Sequence, residues 1–214
     1  MTRAAIFGDV HLDAAGCKRK AFLEAIKSVA SSVDIIIMNG DFLDTYNEYA
    51  NNTLKEFVTW SAKEGCKEKI VYVTGGMGHE GNLLYDKPDI QVIPYAKLNT
   101  LEGRFIICHG HNIGLKKKVN ETWNQAVVTL KKQLIANSIN FLTKILSTDM
   151  LIISHTHVPF YDMDNRVFAT GGWKVKGKWS REYIKRNVGV FIVIDDEKRE
   201  DPIKVIRWLN DINK

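Results

Sequence analysis

The stretch Ala4-Ala5-Ile6-Phe7-Gly8-Asp9-Val10-His11 places a carboxylate and an imidazole, two residues apart, at the end of a short apolar run. A run of this length suits a buried strand. The polar pair then falls on the loop that follows, where a rigid sheet commonly holds metal ligands and catalytic groups. The arrangement recurs along the chain. Asp34–Met38 leads into Gly40-Asp41-Phe42-Leu43-Asp44, Lys69–Thr74 precedes His79-Glu80, and Phe105–Cys108 runs into His109, with His111 two residues on. Leu151–Ser154 gives way to His155-Thr156-His157, so all six histidines collect in five clusters, four of them after strand-like runs.

Those runs are nearly continuous in apolar residues, as expected of strands covered on both faces. Between them, Cys17–Ala30 has Ala21, Phe22, Ala25, Ile26 and Val29 at helical spacing, and Thr53–Lys63 repeats the pattern with Leu54, Phe57, Val58 and Ala62 before Gly65. Val167–Ala169, Gly189–Asp195 and Ile203–Trp208 read as further strands. Strands and helices that alternate in this way predict one mixed α/β layered domain over 1–214, with helices outside the sheets. Asn120–Leu146 carries two apolar stripes, one from Trp123 to Leu134 and one from Ile135 to Leu146. A single helix of that length would span roughly 40 Å, so a hairpin broken near Asn137-Ser138 is an equal reading. Core packing, a lid and a dimer contact are all open as its role.

Length and composition bound the class. The 214 residues fit one domain, and 45% hydrophobic with 26% charged content is ordinary for a soluble globular chain. No run approaches the ~18 apolar residues of a membrane span. The first residues read as a strand rather than a secretory signal. Cys17, Cys66 and Cys108 are odd in number and lack metal-finger spacing; free thiols point to a reducing compartment and a cytoplasmic protein. A net charge of +5 leaves nucleic acid, phosphorylated metabolites and peripheral contact with anionic lipid open as partners.

Carboxylate and imidazole together suit Mn²⁺, Fe or Zn²⁺ better than Mg²⁺, whose sites are oxygen-dominated. Gly40 permits a tight turn from which Asp41 can project. His155 and His157 alternate in an extended chain, so both reach one site only if the loop turns there. Cys108 reads as a buried, inert thiol, and His111 as either a supporting or a solvated residue.

In order and spacing these clusters resemble the calcineurin-like metallophosphoesterases, and the resemblance runs nearly end to end. The family pattern is Asp-x-His, Gly-Asp-x-x-Asp, Gly-Asn-His-(Asp/Glu), a lone His and Gly-His-x-His. Here the matches are Asp9/His11, Gly40-Asp41 with Asp44, His79-Glu80, His109-Gly110 and Ser154-His155-Thr156-His157. The resemblance implies a four-layer αββα fold with a helical insertion over about 116–147. It implies two divalent ions, Mn²⁺ foremost with Fe, Zn²⁺ and Ni²⁺ as alternatives. Asp9, His11, Asp41 and His157 would hold the first, while Asp41, His109 and His155 would hold the second. His79, steered by Asp44, would stand by the leaving group. The implied reaction is hydrolysis of a phosphodiester, pyrophosphate or phosphomonoester by hydroxide formed at the metal pair.

The chain departs from the pattern where Gly75-Gly76-Met77-Gly78-His79 stands for Gly-Asn-His. Gly78 lacks the side-chain oxygen the asparagine supplies, so the resemblance here implies a weaker second site and reduced activity, unless water or Asn82 substitutes; the motif's glycine falls on Met77, or on Gly75 across a small insertion. Loss of turnover would leave a binding protein on the same fold, as in retromer's scaffolding subunit. Val158-Pro159-Phe160 and Thr170-Gly171-Gly172-Trp173 resemble the branch that hydrolyses UDP-2,3-diacylglucosamine, although that branch usually carries arginine at the place of His79. Expected substrates are therefore a nucleotide-diphosphate conjugate, a nucleotide or a nucleic acid. The basic segment from Lys174 to Arg186 and Lys116-Lys117-Lys118 read either as phosphate grips or as solvated loops.

Overall fold

The computed structural model describes residues 2–45, 47–75, 90–110, 146, 148–175, 188–198 and 202–211. The first half forms β1 (Arg3–Gly8), α1 (Arg19–Ala30), β2 (Ile35–Asn39), α2 (Glu48–Lys63), β3 (Ile70–Val73) and β4 (Gln91–Ile93). There follow β5 (Ala96–Thr100), β6 (Gly103–Cys108), β7 (Met150–Ile153), β8 (Phe160–Asp162) and β9 (Val167–Ala169). The chain closes with β10 (Val190–Asp195), β11 (Ile203–Arg207) and a short helix α3 (Trp208–Asp211).

Two sheets result, one of six strands in the order β11-β10-β1-β2-β3-β4 and one of five in the order β5-β6-β7-β9-β8. β1, β2, β3 and β4 run parallel, as do β6, β7 and β9. The six-stranded sheet is buried on both faces, which is why its strands are apolar at nearly every position. Ala5, Phe7, Ile36, Met38 and Tyr72 face α1 and α2, whereas Ala4, Ile6, Ile37 and Val73 face the other sheet. A one-residue slip of β1 would exchange the two sets, so the register is strongly specified. Ile106, Leu151, Ile153 and Val167 lie on the far face of the five-stranded sheet and are buried as well. The expected 116–147 insertion, apart from Leu146 and the turn that opens β7, lies outside the described residues.

The helices follow the sequence pattern with instructive differences at their ends. α1 buries Phe22, Ala25 and Ile26, and the Lys69 ammonium donates to the Ala30 and Val33 carbonyls at 2.7 and 2.8 Å, capping its negative end. α2 begins five residues before the expected Thr53. Its first turn has no apolar stripe to betray it, but the Asn47 side-chain oxygen accepts the Ala50 N–H at 3.0 Å and Glu48 sits in the first turn. Asn47→Ala should cost about 1 kcal/mol in urea denaturation; it also removes an acceptor for the Thr45 hydroxyl, 3.2 Å away in the loop after β2. β4, β5 and β8 were not expected. β4 and β8 are three residues each, and β5 alternates polar and apolar with only Ala96 and Leu98 buried. The last expected strand stops at Arg207, and Trp208 opens α3 instead.

An aromatic cluster fills the space between the six-stranded sheet and the helices. Phe7 stacks on Phe191 with ring centroids 4.5 Å apart, Phe22 meets Trp173 edge-on at 5.2 Å, and Phe42 lies 4.8 Å from Phe57. Phe42 and Trp173 belong to the loops after β2 and β9, so the core anchors both loops.

Candidate metal centre

The loops after β1, β2, β6 and β7 meet where the two sheets' strands end. In the first two, Asp9 N–H donates to the Gly40 carbonyl, His11 N–H to Asp41 and Leu12 N–H to Phe42, at 3.3, 2.9 and 2.7 Å. The Asp9 carboxylate then crosses to the other sheet and accepts the His155 N–H at 2.7 and 2.9 Å through its two oxygens. Asn39 Nδ2 donates to the Cys108 carbonyl at 3.1 Å, and the Ser154 hydroxyl donates to the Asn39 carbonyl. Ser154, where the family pattern has glycine, is thus a cross-sheet tie. Gly8 makes room for it, because a Cβ there would lie 2.4 Å from Ser154 Cβ.

Six non-glycine residues among those described have positive φ, and five are Asp9 (50°), His11 (49°), Asp41 (47°), His155 (78°) and His157 (56°). Left-handed backbone costs an L-residue roughly 1–2 kcal/mol. Such strain persists where surrounding structure over-determines it, and it gathers at functional sites. Here the loop-to-loop hydrogen bonds supply the constraint. The positive φ at both histidines of His155-Thr156-His157 also answers how two alternating rings reach one place: the loop turns.

The side chains form two triads whose ligand-type atoms lie within 4.8 Å of one another, Asp9 with His11 and His157, and Asp41 with His109 and His155. His11 Nε2 stands 3.4 Å from His157 Nε2, and His109 Nε2 stands 3.4 Å from Asp9 Oδ1. Asp41 lies between the triads, with Oδ1 3.6 Å from His109 Nε2 and Oδ2 4.0 Å from His11 Nε2. Glycines bring the backbone close. A Cβ on Gly40 would sit 2.2 Å from the His109 ring, one on Gly75 2.7 Å from Asp41 Oδ1, and one on Gly172 2.4 Å from His157 Nδ1.

The donor set fits divalent metal. Both Asp41 oxygens are buried and make no hydrogen bond among the described residues, and a buried carboxylate without a partner costs several kcal/mol. Two carboxylates and four imidazoles match borderline cations. Burial pushes the Asp9 carboxyl upward, but the charge of His157, the bond from His109 and the charge of His11 outweigh it and hold it below the usual carboxylate range. The polar contact with His11 leads in holding Asp44 below that range too, against burial and with help from Lys174.

Six of the eight expected site residues are therefore brought together. Asp44 lies beside them, its Oδ1 2.9 Å from His11 Nδ1 and its Oδ2 accepting from Lys174 Nζ at 2.8 Å. His79, its expected partner, lies outside the described residues, as do Gly78, Asn82 and His111. Lys174, expected in a solvated loop or on a phosphate, is paired with Asp44; residues 176–187 lie outside the description. Cys108 is fully buried, and burial pushes its thiol up to about 12. Sequence reasoning missed Asp13, whose carboxylate accepts Asp44 N–H at 2.5 Å, Thr45 N–H at 3.1 Å and the Thr45 hydroxyl at 2.6 Å, fixing the loop that carries Asp44. Its position two residues past His11 was the available signal. Gly172 leaves room for the His157 ring, and Trp173 is fully buried in the core.

A two-sheet α/β sandwich with carboxylate and imidazole triads at its strand ends defines a metallophosphoesterase fold. The chain belongs to the calcineurin-like phosphoesterase family, whose sequence profile matches residues 2–186. No curated protein matches it closely enough to count. Among solved structures it resembles Yfce, a phosphoesterase from E. coli, at 15% identity and a TM-score of 0.51, covering 91% of this chain and 88% of that one. It also resembles Vacuolar Protein Sorting 29 from Cryptosporidium parvum, at 13% identity and a TM-score of 0.52, over 96% and 95% of the two chains. At these identities the likeness is one of fold.

Proposed function

We propose that the protein is a phosphoesterase using two divalent ions, one held by Asp9, His11 and His157 and the other by Asp41, His109 and His155, with Asp41 serving both. The observation that carries the reading is the Asp41 carboxylate, buried between the triads with both oxygens lacking a hydrogen bond among the described residues. When bound, such a pair of cations neutralises phosphate oxygens and lowers the pKa of a water. Mn²⁺ is the first candidate, with Fe, Zn²⁺ and Ni²⁺ behind it.

The chain's own residues orient and exclude. Asp9 is fixed by the His155 N–H, so the carboxylate needs no reorganisation when an ion arrives. From its place in the motif order, His79 is assigned to the leaving group, where it would stabilise the developing charge or protonate the departing oxygen. The substrate is a phosphodiester, pyrophosphate or phosphomonoester. The resemblance of Val158-Pro159-Phe160 and Thr170–Trp173 to the UDP-2,3-diacylglucosamine hydrolase branch keeps a nucleotide-diphosphate conjugate among the candidate substrates. The three free thiols support a cytoplasmic location.

Metal analysis with turnover of bis-p-nitrophenyl phosphate tests the reading. The expected result is about two ions per chain at saturation and Mn²⁺-dependent hydrolysis, with His79→Ala lowering kcat by roughly 10²- to 10⁴-fold. A chain that binds no divalent ion and hydrolyses nothing under any of them would overturn it, and leave a binding protein on the same fold.

A further inference from the structure

We propose that Lys174 is a positioning residue for the metal centre: through Asp44 it holds the His11 imidazole with Nδ1 protonated, leaving Nε2 as the atom offered to an ion by the Asp9, His11, His157 triad. The inference rests on the metal-centre reading above and names a residue that no element of the family pattern includes.

Three layers of contact carry it. His11 Nδ1 faces Asp44 Oδ1 in a 2.9 Å ion-pair contact that falls outside good hydrogen-bond geometry, while its Nε2 points to the cluster, 3.4 Å from His157 Nε2. A ring held by a carboxylate at one nitrogen presents the other as a fixed, more basic ligand. Asp44 is 27% exposed, so its carboxylate could turn to water; the Lys174 ammonium, 2.8 Å from Oδ2, occupies the oxygen that His11 does not. Asp13 meanwhile fixes the Asp44 backbone.

Lys174 is itself on stiff ground. Its neighbour Trp173 is fully buried, donates its N–H to the Asp9 carbonyl at 3.1 Å and accepts the Lys18 N–H at 2.8 Å. Val175 N–H donates to the Gly16 carbonyl at 2.8 Å, and Lys174 forms an antiparallel bridge with Cys17. The segment after β9 is thus stitched to the loop after β1, which fixes the backbone that carries the ammonium to Asp44.

The test uses the full chain, stripped of metal and titrated with Zn²⁺, beside Asp44→Asn, Lys174→Met and Lys174→Arg. Asp44→Asn should lose about 10- to 100-fold in affinity at one of two sites. Lys174→Met should lose a smaller factor at the same site, about two- to five-fold as for a partly exposed ion pair, and Lys174→Arg should recover most of it. Two-bond ¹H–¹⁵N spectra should show His11 protonated at Nδ1 in metal-free and Zn²⁺-loaded wild type, and a mixture of tautomers in metal-free Lys174→Met. Unchanged affinity and tautomer with a raised KM in Lys174→Met would make the residue a substrate contact and overturn the proposal. If wild type bound no Zn²⁺, the metal-centre reading would fail instead, and the two failures are distinct.

Discussion

Asp41→Asn should make the metal-free protein more stable and the metal-saturated protein less stable than wild type. In the stripped wild type, Asp41 is a fully buried carboxyl group with the His109 and His11 imidazole nitrogens 3.6 and 4.0 Å away, beyond good hydrogen-bond geometry. A buried carboxylate left without compensation costs several kcal/mol, whereas an unsatisfied amide of the same shape costs about 1–3 kcal/mol. The difference favours asparagine by about 1–3 kcal/mol, or roughly 3–10 °C in Tm for a chain of this size. Saturating metal reverses the order: an ion present at 1,000 times its Kd stabilises wild type by about 4 kcal/mol, and the variant forfeits much of that. Turnover should fall at least about 100-fold, since the metal contribution is worth several kcal/mol. Calorimetry with chelator and then with Mn²⁺ decides it. Curves that fail to cross would mean that the protein neutralises Asp41 without help from an ion.

Much of this centre was legible because two scales of pattern agree. Apolar runs such as Ala4–Phe7 and Leu151–Ser154 name the strands, and the residue types just beyond name the chemistry. What was hidden depends on contacts distant in sequence. Nothing local marks Lys174 as the partner of Asp44, 130 residues away, or Gly172 as the space for the His157 ring. Asp13 went unremarked, since its role is to hold a loop some thirty residues on. β5 was missed because half its residues face outward and its apolar signal is only two side chains deep. The first turn of α2 was missed because its cap is polar and the large buried apolar residues start only at Leu54.

Gly40→Ala and Gly65→Ala form a matched pair that separates backbone strain from the cost of crowding a ligand. Both glycines are left-handed, with φ of +73° and +70°, so alanine pays roughly the same conformational penalty of about 1–2 kcal/mol at each. Gly65 follows α2 and has nothing within 4 Å of an added Cβ; its variant should show that penalty alone, with metal binding and turnover intact. At Gly40 the added Cβ would lie 2.2 Å from His109 Cδ2 and 2.4 Å from Cγ. His109 is fully buried, so its ring cannot swing into solvent, and overpacking adds about 1–3 kcal/mol. The ring must then leave the Asp41, His109, His155 triad, or the loop after β2 must carry Asp41 away from it. Either movement removes a ligand, so Gly40→Ala should weaken one of the two stoichiometric steps or fail to fill one site at any practical concentration. Its urea midpoint should fall by more than twice that of Gly65→Ala. Equal midpoints and intact metal stoichiometry in both variants would mean that His109 does not sit against Gly40, and the second triad would lose its geometry.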